Sequence, residues 1–525
     1  MRNIVIFLII IALLSLPLKL YTIDFSLPVI VDNLLYILRG ISISQGTYAE
    51  SPQKTSGYPL LLSPFFLLFD PNEYIEYVNI TRILNIVISS VTIFPIYFLS
   101  RKFFDEKFSY LTAIFFAFQP QLNYVTGLGM TEPLFILVLV LAFYFFLNKN
   151  STVGVYFSFL LVGVLWWTKI MGILFIIPFL ISHFILYRNT RNLVVCILIF
   201  LIVVSPILIL RYNQYGNPVF FTGFHGSEKE TYLPSEGEYE DFFPISSKNL
   251  LTAWGTLSVP YLIFLFPLGM LFSLRIKNNR KNFLSNWIIL VLTLAPMLVH
   301  YFFWTSARPL YHIYPFLMIF SVLAVQTIIE NKFKPFTAKQ KKILIILLLC
   351  FVVISSVLVT HGVDGFGYGK QDPIEINEIR DYSKFLINNL DGKLFWSKGV
   401  SFEWLKVVLV EESDGVFKTY KIKPGSYREV YSFGHFKEIN PGNLSLAGPI
   451  SGNSVEEIIS KGEKLGLKYI SVGERNDRHF FNQVYSNEEE FEYLNKIFDS
   501  NEKGFQKYKV KAFEIDYKKF HELKQ

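Results

Sequence analysis

Four ionisable side chains stand out within or beside apolar segments of the chain: Asp32, Glu132, Lys169 and Arg308. A charge at membrane depth costs about 2.5–3.5 kcal/mol on insertion scales, so each of the four is a candidate for function. A carboxylate can take the proton of an attacking hydroxyl group, and a fixed cation can hold the negative charge that grows on a leaving phosphate. These residue types therefore suit a reaction in which a hydroxyl group displaces a phosphate.

Each of the four also has a structural interpretation. Glu132 precedes Pro133 at the start of an apolar segment, where the helix dipole favours an acidic side chain. Lys169 could extend its stem along apolar surface to reach water, and Arg308 could contact lipid headgroups. Asp32 could be a solvated loop residue. The residue types alone leave these alternatives open.

Asp32 lies in a long loop, roughly Tyr21 to Leu68, and begins an amphipathic run. On a helix, its apolar residues would lie on one side: Leu34, Leu35, Ile37, Leu38, Ile41 and Ile43. Its polar residues would lie on the other side: Asn33, Arg39, Ser42 and Gln45. This spacing predicts a short helix on the membrane surface that ends at Gly46. The run 56–64 contains glycine and two prolines and is too broken to be predicted as a span.

Composition indicates a polytopic α-helical membrane protein. Of the 525 residues, 52% are hydrophobic and 17% charged, and the mean hydropathy is +0.38, which excludes an ordinary soluble protein. The net charge of +7 fits basic cytoplasmic loops, and no basic groove motif points to nucleic acid. Both cysteines, Cys196 and Cys350, lie in apolar runs, so the hydrophilic part has neither a disulfide nor a thiolate metal site.

About eleven transmembrane helices are predicted from segments of roughly 20 apolar residues. They lie near 3–21, 80–100, 108–125, 131–148, 153–167, 170–187, 192–211, 252–274, 285–304, 309–329 and 342–360. Lysine and arginine concentrate in alternate loops, which predicts a cytoplasmic N-terminus in a multi-pass protein of the cell membrane. The external side then carries a first loop (22–79), a second large loop (212–250) and everything after His361.

Two domains follow, a membrane domain over 1–360 and a soluble extracytoplasmic α/β domain over 361–525. In the second, helices are predicted at 374–389, 455–465 and 488–498 and strands at 394–396, 469–472 and 508–515. Its sequence has no phosphate loop, nucleophile elbow or metal-ligand cluster. We therefore expect this domain to bind or support, with the chemistry elsewhere.

Several short motifs occur in an order that resembles the GT-C superfamily of membrane glycosyltransferases. The likeness is to the family 39 branch, which includes the dolichyl-phosphate-mannose protein mannosyltransferases and the aminoarabinose transferase of lipid A. It covers about residues 1–360. The motifs are Asp32 with Tyr36, the run Gly57-Tyr58-Pro59-Leu60-Leu61-Leu62, the run Thr131-Glu132-Pro133-Leu134-Phe135, Thr168-Lys169 with Gly172, and Ser306 to Pro315.

The resemblance implies an inverting transfer on the external face, from a polyprenyl-phosphate sugar to a protein, lipid or glycan acceptor. By position, Asp32 matches the catalytic acid and Glu132 the acid of the second short loop. Lys169 and Arg308 match cations near the donor phosphate, and the substrate cavity is lined by Tyr36, Tyr58 and Tyr311. The family often has a second acid after the first, where this chain has Asn33. This departure weighs against a Mg²⁺ or Mn²⁺ site, so no metal ligand is assigned, and no cofactor is predicted with certainty.

Two other classes of function are compatible with parts of the sequence. A polytopic transporter would also have intramembrane charges and broken helices, but the odd span count, the lack of an internal repeat and the large tail argue against it. A non-catalytic subunit for assembly of cell-surface glycans would place its function in the tail. An Asp32→Ala variant separates these classes, because only an enzyme would lose turnover.

Overall fold

The computed structural model describes most of the chain. The described residues are 2–29, 32–48, 55–148, 151–215, 260–303, 308–332, 336–362, 372–397, 403–419, 442–447, 450, 452–474 and 479–524. The chain divides into two compact units. The membrane unit comprises Met1–Asp24, Glu50–Leu68 and Val78–Lys370, and the mixed-sheet unit comprises Phe25–Ala49, Phe69–Tyr77 and Gln371–Gln525.

Helices make up the regular structure of the membrane unit. In chain order they are α1 (Arg2–Tyr21), α3 (Gly57–Phe69), α4 (Tyr74–Ser100), α5 (Glu106–Ala117), α6 (Pro120–Gly127), α7 (Glu132–Phe146), α8 (Thr152–Thr168), α9 (Ile176–Tyr187), α10 (Thr190–Tyr215), α11 (Leu262–Ser273), α12 (Arg280–Phe303), α13 (Tyr314–Thr327) and α14 (Ala338–Gly362). Helix α2 (Asp32–Ser44), the last residue of α3 and the first turn of α4 belong to the other unit. Short 3-10 helices, Ile170–Phe175 and Arg308–Ile313, precede α9 and α13, and a π-helical turn, Ile328–Lys332, follows α13.

Six helices of the described chain are long and apolar enough to cross a membrane. They are Arg2–Tyr21, Tyr74–Ser100, Ile170–Tyr187, Thr190–Gln214, Leu310–Asn331 and Ala338–Thr360. Four apolar helices are shorter: Gly57–Phe69, Glu132–Phe146, Thr152–Thr168 and Leu262–Ser273. The chain is therefore a multi-pass membrane protein, and the number eleven stays a prediction. The predicted span 108–125 is divided after α5, where Pro120 begins α6 because a proline is tolerated at the first position of a helix.

Aromatic side chains fill the core between helices α7, α8 and α9. The ring centroid of Phe179 lies 5.1 Å from that of Phe146 and 6.3 Å from that of Phe159. All three side chains have no exposed surface. Such contacts between large rings add directional packing to the burial of apolar area, and they fix the helices that carry the site.

A five-stranded mixed sheet is the centre of the mixed-sheet unit. Its strands are β1 (Gly392–Trp396), β2 (Leu444–Leu446), β3 (Leu467–Gly473), β4 (Leu494–Asp499) and β5 (Val510–Ile515), and their order is β2-β1-β3-β5-β4. Strands β2, β1 and β3 are parallel, and β5 is antiparallel to both β3 and β4. Helices α15 (Pro373–Asn389), α16 (Glu403–Glu411), α17 (Val455–Glu463), α18 (His479–Ser486) and α19 (Tyr517–Lys524) accompany the sheet.

The predicted helix at 488–498 is wrong. Residues Glu488–Glu490 form a 3-10 turn, and Leu494–Asp499 form the edge strand β4. Asn495 pairs with Glu514 of β5, and the register shifts between Lys496 and Phe498. Spacing of apolar residues cannot separate a short helix from a bulged strand, and here the ladder with β5 decides the conformation.

Helix α2 forms where the sequence predicts it and ends in a tight turn at Gly46, whose φ is +78°. Its predicted polar side is not exposed, however, because Asn33, Arg39 and Ser42 are all buried. The predicted exposed polar side is therefore wrong at these three positions, whereas Gln45, directly after the helix, is exposed. The location of the helix at the membrane surface stays a prediction. Burial on every side explains the difference: the first-loop segment is an internal element of the mixed-sheet unit.

A tail turn contacts the first-loop segments within this unit. The 3-10 turn Val416–Lys418 contacts helix α2. The ring of Phe417 lies edge-on to the rings of Tyr74 and Tyr77, at centroid distances of 6.2 and 5.8 Å. Lys418 Nζ donates to Asn72 Oδ1 at 3.2 Å. The predicted boundary near 361 stays a prediction, and parts of the first loop group with the tail.

Candidate active site

Three motifs that are distant in sequence meet in the membrane unit. The first turn of α3 carries Gly57 and Tyr58, the turn before α7 leads into Glu132, and the end of α8 leads into Lys169. A Cβ atom added to Gly57 would lie 2.4 Å from the carbonyl oxygen of Trp167, so only glycine lets α3 approach the end of α8 this closely. The site is built on this contact.

Glu132 and Lys169 form an ion pair at this junction. Lys169 Nζ donates to Glu132 Oε1 at 3.1 Å, and the two side chains are 19% and 5% exposed. Lys169 has an extended backbone, with φ −155° and ψ 137°, between α8 and the following 3-10 helix. A Cβ atom on Gly172 would lie 2.3 Å from the backbone of Leu165, so glycine permits this sharp break. The break directs the lysine towards the start of α7.

Tyr58 joins α3 to the turn before Glu132. Its hydroxyl lies 3.0 Å from Asn85 Oδ1 and 3.2 Å from the carbonyl oxygen of Gly129, and its side chain is fully buried. Asn85 Nδ2 donates to the carbonyl of Met130 at 2.8 Å. Buried polar groups linked in this way hold one geometry, because an unmade hydrogen bond in the interior is costly.

Arg82 holds the same turn from helix α4. It is 2% exposed, its Nε donates to the carbonyl of Gly127 at 3.1 Å, and its Nη1 donates to Asn79 Oδ1 at 3.1 Å. Lys19 of α1 lies near α6, with Nζ donating to Ser89 Oγ at 3.0 Å and to Asn123 Oδ1 at 2.6 Å. Helix α4 thus supplies most of the polar support for the segment that positions Glu132.

Five charged side chains that are buried or nearly buried lie at the same end of the spans: Lys19, Arg82, Glu132, Lys169 and Arg211. Each lies at the span end that the loop charges assign to the external side. Four are cations and one is an acid, and Arg211 lies over the ring of Trp166 at 5.6 Å. A charge that is partly removed from water interacts strongly with a nearby ion, because screening there is weak.

The comparisons with known proteins agree with this architecture. Residues 57–210 match the model of the dolichyl-phosphate-mannose-protein mannosyltransferase family. The range begins at Gly57 and contains Tyr58, Glu132 and Lys169. The chain has the fold of the oligosaccharyltransferase of Archaeoglobus fulgidus crystallised with a tethered acceptor peptide, with a TM-score of 0.59 and 14% identity over 92% of this chain and 69% of the other. The chain is therefore similar to the GT-C glycosyltransferases, over residues 57–210 in sequence and over most of its length in fold.

Two further GT-C structures share the fold. The oligosaccharyltransferase AglB of A. fulgidus, in complex with an inhibitory peptide and a dolichol-phosphate, gives a TM-score of 0.54 at 14% identity over 95% of this chain and 73% of that one. ArnT from Cupriavidus metallidurans, bound to undecaprenyl phosphate, gives a TM-score of 0.52 at 11% identity over 97% of this chain and 98% of that one. No curated protein sequence matches the chain.

The remaining predicted site residues lie in different places. Asp32 is the half-buried first residue of α2, and Tyr36 is buried in the same helix, both in the mixed-sheet unit. Tyr311 is fully buried in the membrane unit, with its ring 5.8 Å from that of Tyr314. Arg308 begins the 3-10 helix of Tyr311, and its side chain lies outside the described residues.

Sequence reasoning missed Lys19, Arg82, Asn85 and Arg211. A signal existed for the three cations, since each is a charge within or at the end of an apolar segment. Asn85 carried no such signal, because an uncharged amide is common in helices of this kind. Within the described part of the chain, no group of three or more His, Cys, Asp or Glu side chains is arranged to hold a metal ion.

Proposed function

We propose that this GT-C chain transfers a sugar from a polyprenyl-phosphate carrier to a hydroxyl-bearing or amide-bearing acceptor at the external membrane face, with inversion at the sugar carbon. The observation that carries the proposal is the largely buried Glu132–Lys169 pair, which lies where three motifs meet. The lipid phosphates in the AglB and ArnT structures support a donor of this class. Protein, lipid and glycan acceptors all fit, and the acceptor peptide of the oligosaccharyltransferase supports a protein.

The leaving group in such a reaction is a phosphate whose negative charge grows as the sugar departs. An ammonium has three N–H donors, and Lys169 uses one of them on Glu132. Lys169 and Arg308 are the two cations that we assign to the phosphate oxygens of the donor. Fixed cations stabilise the charge that develops on the leaving group in the transition state, and the site does not have to reorganise to do so. This stabilisation is usually the largest contribution to the rate.

The acceptor's proton needs a carboxylate base. Glu132 is held by Lys169, so taking up a proton would cost it the ion pair. Asp32 is half-buried at the start of a packed helix, and it matches the family's catalytic acid by position. We therefore assign the base to Asp32 and give Glu132 the task of orienting Lys169. From the family resemblance we carry over Tyr36, Tyr58 and Tyr311 as residues that contact the substrate, and we propose that the tail lies outside the cell.

The test uses Asp32→Asn, which keeps the size of the side chain but cannot accept the proton. Sugar transfer should fall about 10²- to 10⁴-fold, whereas affinity for undecaprenyl phosphate should change by less than about threefold. Transfer is measured by mass spectrometry of lipid-linked sugars and surface glycans in a deletion strain that carries each variant, and affinity is measured on purified full-length protein.

Glu132→Gln is the matched variant. If Asp32→Asn restores normal glycans in the deletion strain while Glu132→Gln does not, the base is assigned to the wrong residue. If the deletion strain has unchanged lipid-linked sugars and unchanged surface glycans, the proposed transfer itself is wrong.

A further inference from the structure

A cavity of about 510 Å³ lies in the membrane unit where loops rich in lysine and arginine meet. Its walls come from the turn after α4, the hairpin between α11 and α12, and the end of α13 with its π-helical turn. Glu132, Lys169 and Tyr58 do not line it. The loop charges assign this end of the spans to the cytoplasmic side, opposite to the candidate active site.

The floor of the cavity is aromatic. The rings of Phe103 and Phe283 lie 5.0 Å apart at an interplanar angle of 68°, and both side chains are buried. Asn282 Nδ2 donates to the carbonyl of Lys102 at 3.0 Å, which ties the hairpin to the turn after α4. The floor is therefore a packed part of the unit and can accept the apolar portion of a ligand.

The rim carries opposite charges. Arg275 and Glu330 are both exposed and both line the cavity. Gln326 Nε2 donates to Glu330 Oε1 at 3.0 Å, which holds that carboxylate from one side. Among the described residues, no ion pair joins Arg275 to Glu330. A guanidinium and a carboxylate thus face one cavity with capacity left for a ligand.

The π-helical turn Ile328–Lys332 contributes to this arrangement. Such turns are rare, and they often occur at functional sites because they displace side chains from the regular helical positions. Here the turn begins directly after α13 and contains Glu330. Asn279, in the facing hairpin, adopts a left-handed backbone with φ +58° and also lines the cavity. At the rim, therefore, both the π-helical turn and the facing hairpin depart from regular α-helical geometry.

We propose that this cavity binds the headgroup of an aminophospholipid from the membrane leaflet beside it. Arg275 would bind the phosphate, because a guanidinium presents paired donors to phosphate oxygens. Glu330 would accept hydrogen bonds from the ammonium group, and the phenyl floor would contact the glycerol and the first methylene groups. Basic pockets between helices on the cytoplasmic side commonly take lipid headgroups. A carboxylate on the rim selects one that also carries an amine.

The experiment titrates the detergent-purified full-length protein with phosphatidylethanolamine, phosphatidylglycerol or phosphatidylcholine of identical acyl chains and counts bound lipids by native mass spectrometry. Wild type should bind one phosphatidylethanolamine at least fivefold more tightly than either other lipid. Arg275→Ala should weaken phosphatidylethanolamine and phosphatidylglycerol about tenfold each. Glu330→Gln should weaken phosphatidylethanolamine alone, because only that headgroup offers N–H donors to the carboxylate.

Lys277→Ala is the matched control. Lys277 has the same charge as Arg275, is exposed in the same hairpin and does not line the cavity, so its removal should leave all three affinities unchanged. Equal losses from Lys277→Ala and Arg275→Ala would show general attraction to a basic face and overturn the proposal. Equal affinities of wild type for the three lipids would overturn it as well.

A competition arm separates a membrane lipid from a soluble ligand. Glycerophosphoethanolamine, which lacks acyl chains, should displace the bound lipid only at millimolar concentration, because the phenyl floor contributes to binding. Displacement at micromolar concentration, by this compound or by inorganic phosphate, would show that the cavity serves a soluble phosphate compound and would contradict the lipid assignment.

Discussion

At the scale of single residues, the Glu132–Lys169 ion pair is the main feature that the sequence alone does not show. The two residues were separate candidates, one acid and one cation, and their side chains meet at 3.1 Å. Removing one partner of a largely buried pair leaves the other charge without compensation, which costs up to about 3–5 kcal/mol when burial is complete. The glutamate side chain is 5% exposed, so most of this cost should apply to it.

Lys169→Met should therefore lower the free energy of unfolding by about 2–3 kcal/mol. The double variant Lys169→Met with Glu132→Gln should recover part of that loss, because it removes the uncompensated carboxylate. Thermal denaturation of purified protein in detergent measures both. Lys384→Met is the control, since Lys384 pairs with Glu412 where both side chains are exposed, and surface pairs contribute about 0–1 kcal/mol. Equal losses for Lys169→Met and Lys384→Met would contradict a buried pair.

At the scale of elements, the turn Val416–Lys418 matters because it holds first-loop segments within the mixed-sheet unit. Phe417 is 3% exposed and lies between the rings of Tyr74 and Tyr77. Replacing a buried phenylalanine by alanine costs about 3–5 kcal/mol. Phe417→Ala should therefore speed hydrogen exchange in helix α2 while the central strand β3 stays protected.

Hydrogen exchange with mass spectrometry measures the two segments in the same sample. Val416→Ala is the matched control in the same turn, because the side chain of Val416 is 48% exposed. Unchanged exchange in α2 after Phe417→Ala would show that the turn does not hold the first loop. Faster exchange throughout β3 would show general unfolding of the unit.

At the scale of the whole molecule, the orientation in the membrane rests on the alternation of lysine and arginine between loops. We expect the tail outside and the hairpin after α11 inside. In a Cys350→Ser background, which removes the exposed native thiol, Lys464→Cys should react with a membrane-impermeant maleimide in intact cells. Lys277→Cys should react only after lysis. The reverse pattern would place the buried cations and the candidate active site on the cytoplasmic side.

The sequence by itself determined the class of molecule, the helical segments and most of the motifs. Hydropathy and period are local properties, so α1, α4, α10 and α14 follow from composition, and α2 follows from its spacing. The family match over 57–210 contains three of the five motifs, those at Gly57, Glu132 and Lys169. A charge within an apolar segment is also visible locally, which is why Glu132 and Lys169 could be named as candidates.

Only the tertiary structure decided which of these residues meet. Glu132 and Lys169 are 37 positions apart, and their contact depends on the packing of α7 against α8. Tyr58 reaches Asn85 and the turn at Gly129 because α3 packs closely at Gly57. Strand β4 replaces a predicted helix because β5 supplies its hydrogen bonds, and the polar side of α2 is buried. Such outcomes depend on partners distant in sequence, and local periodicity carries no information about them.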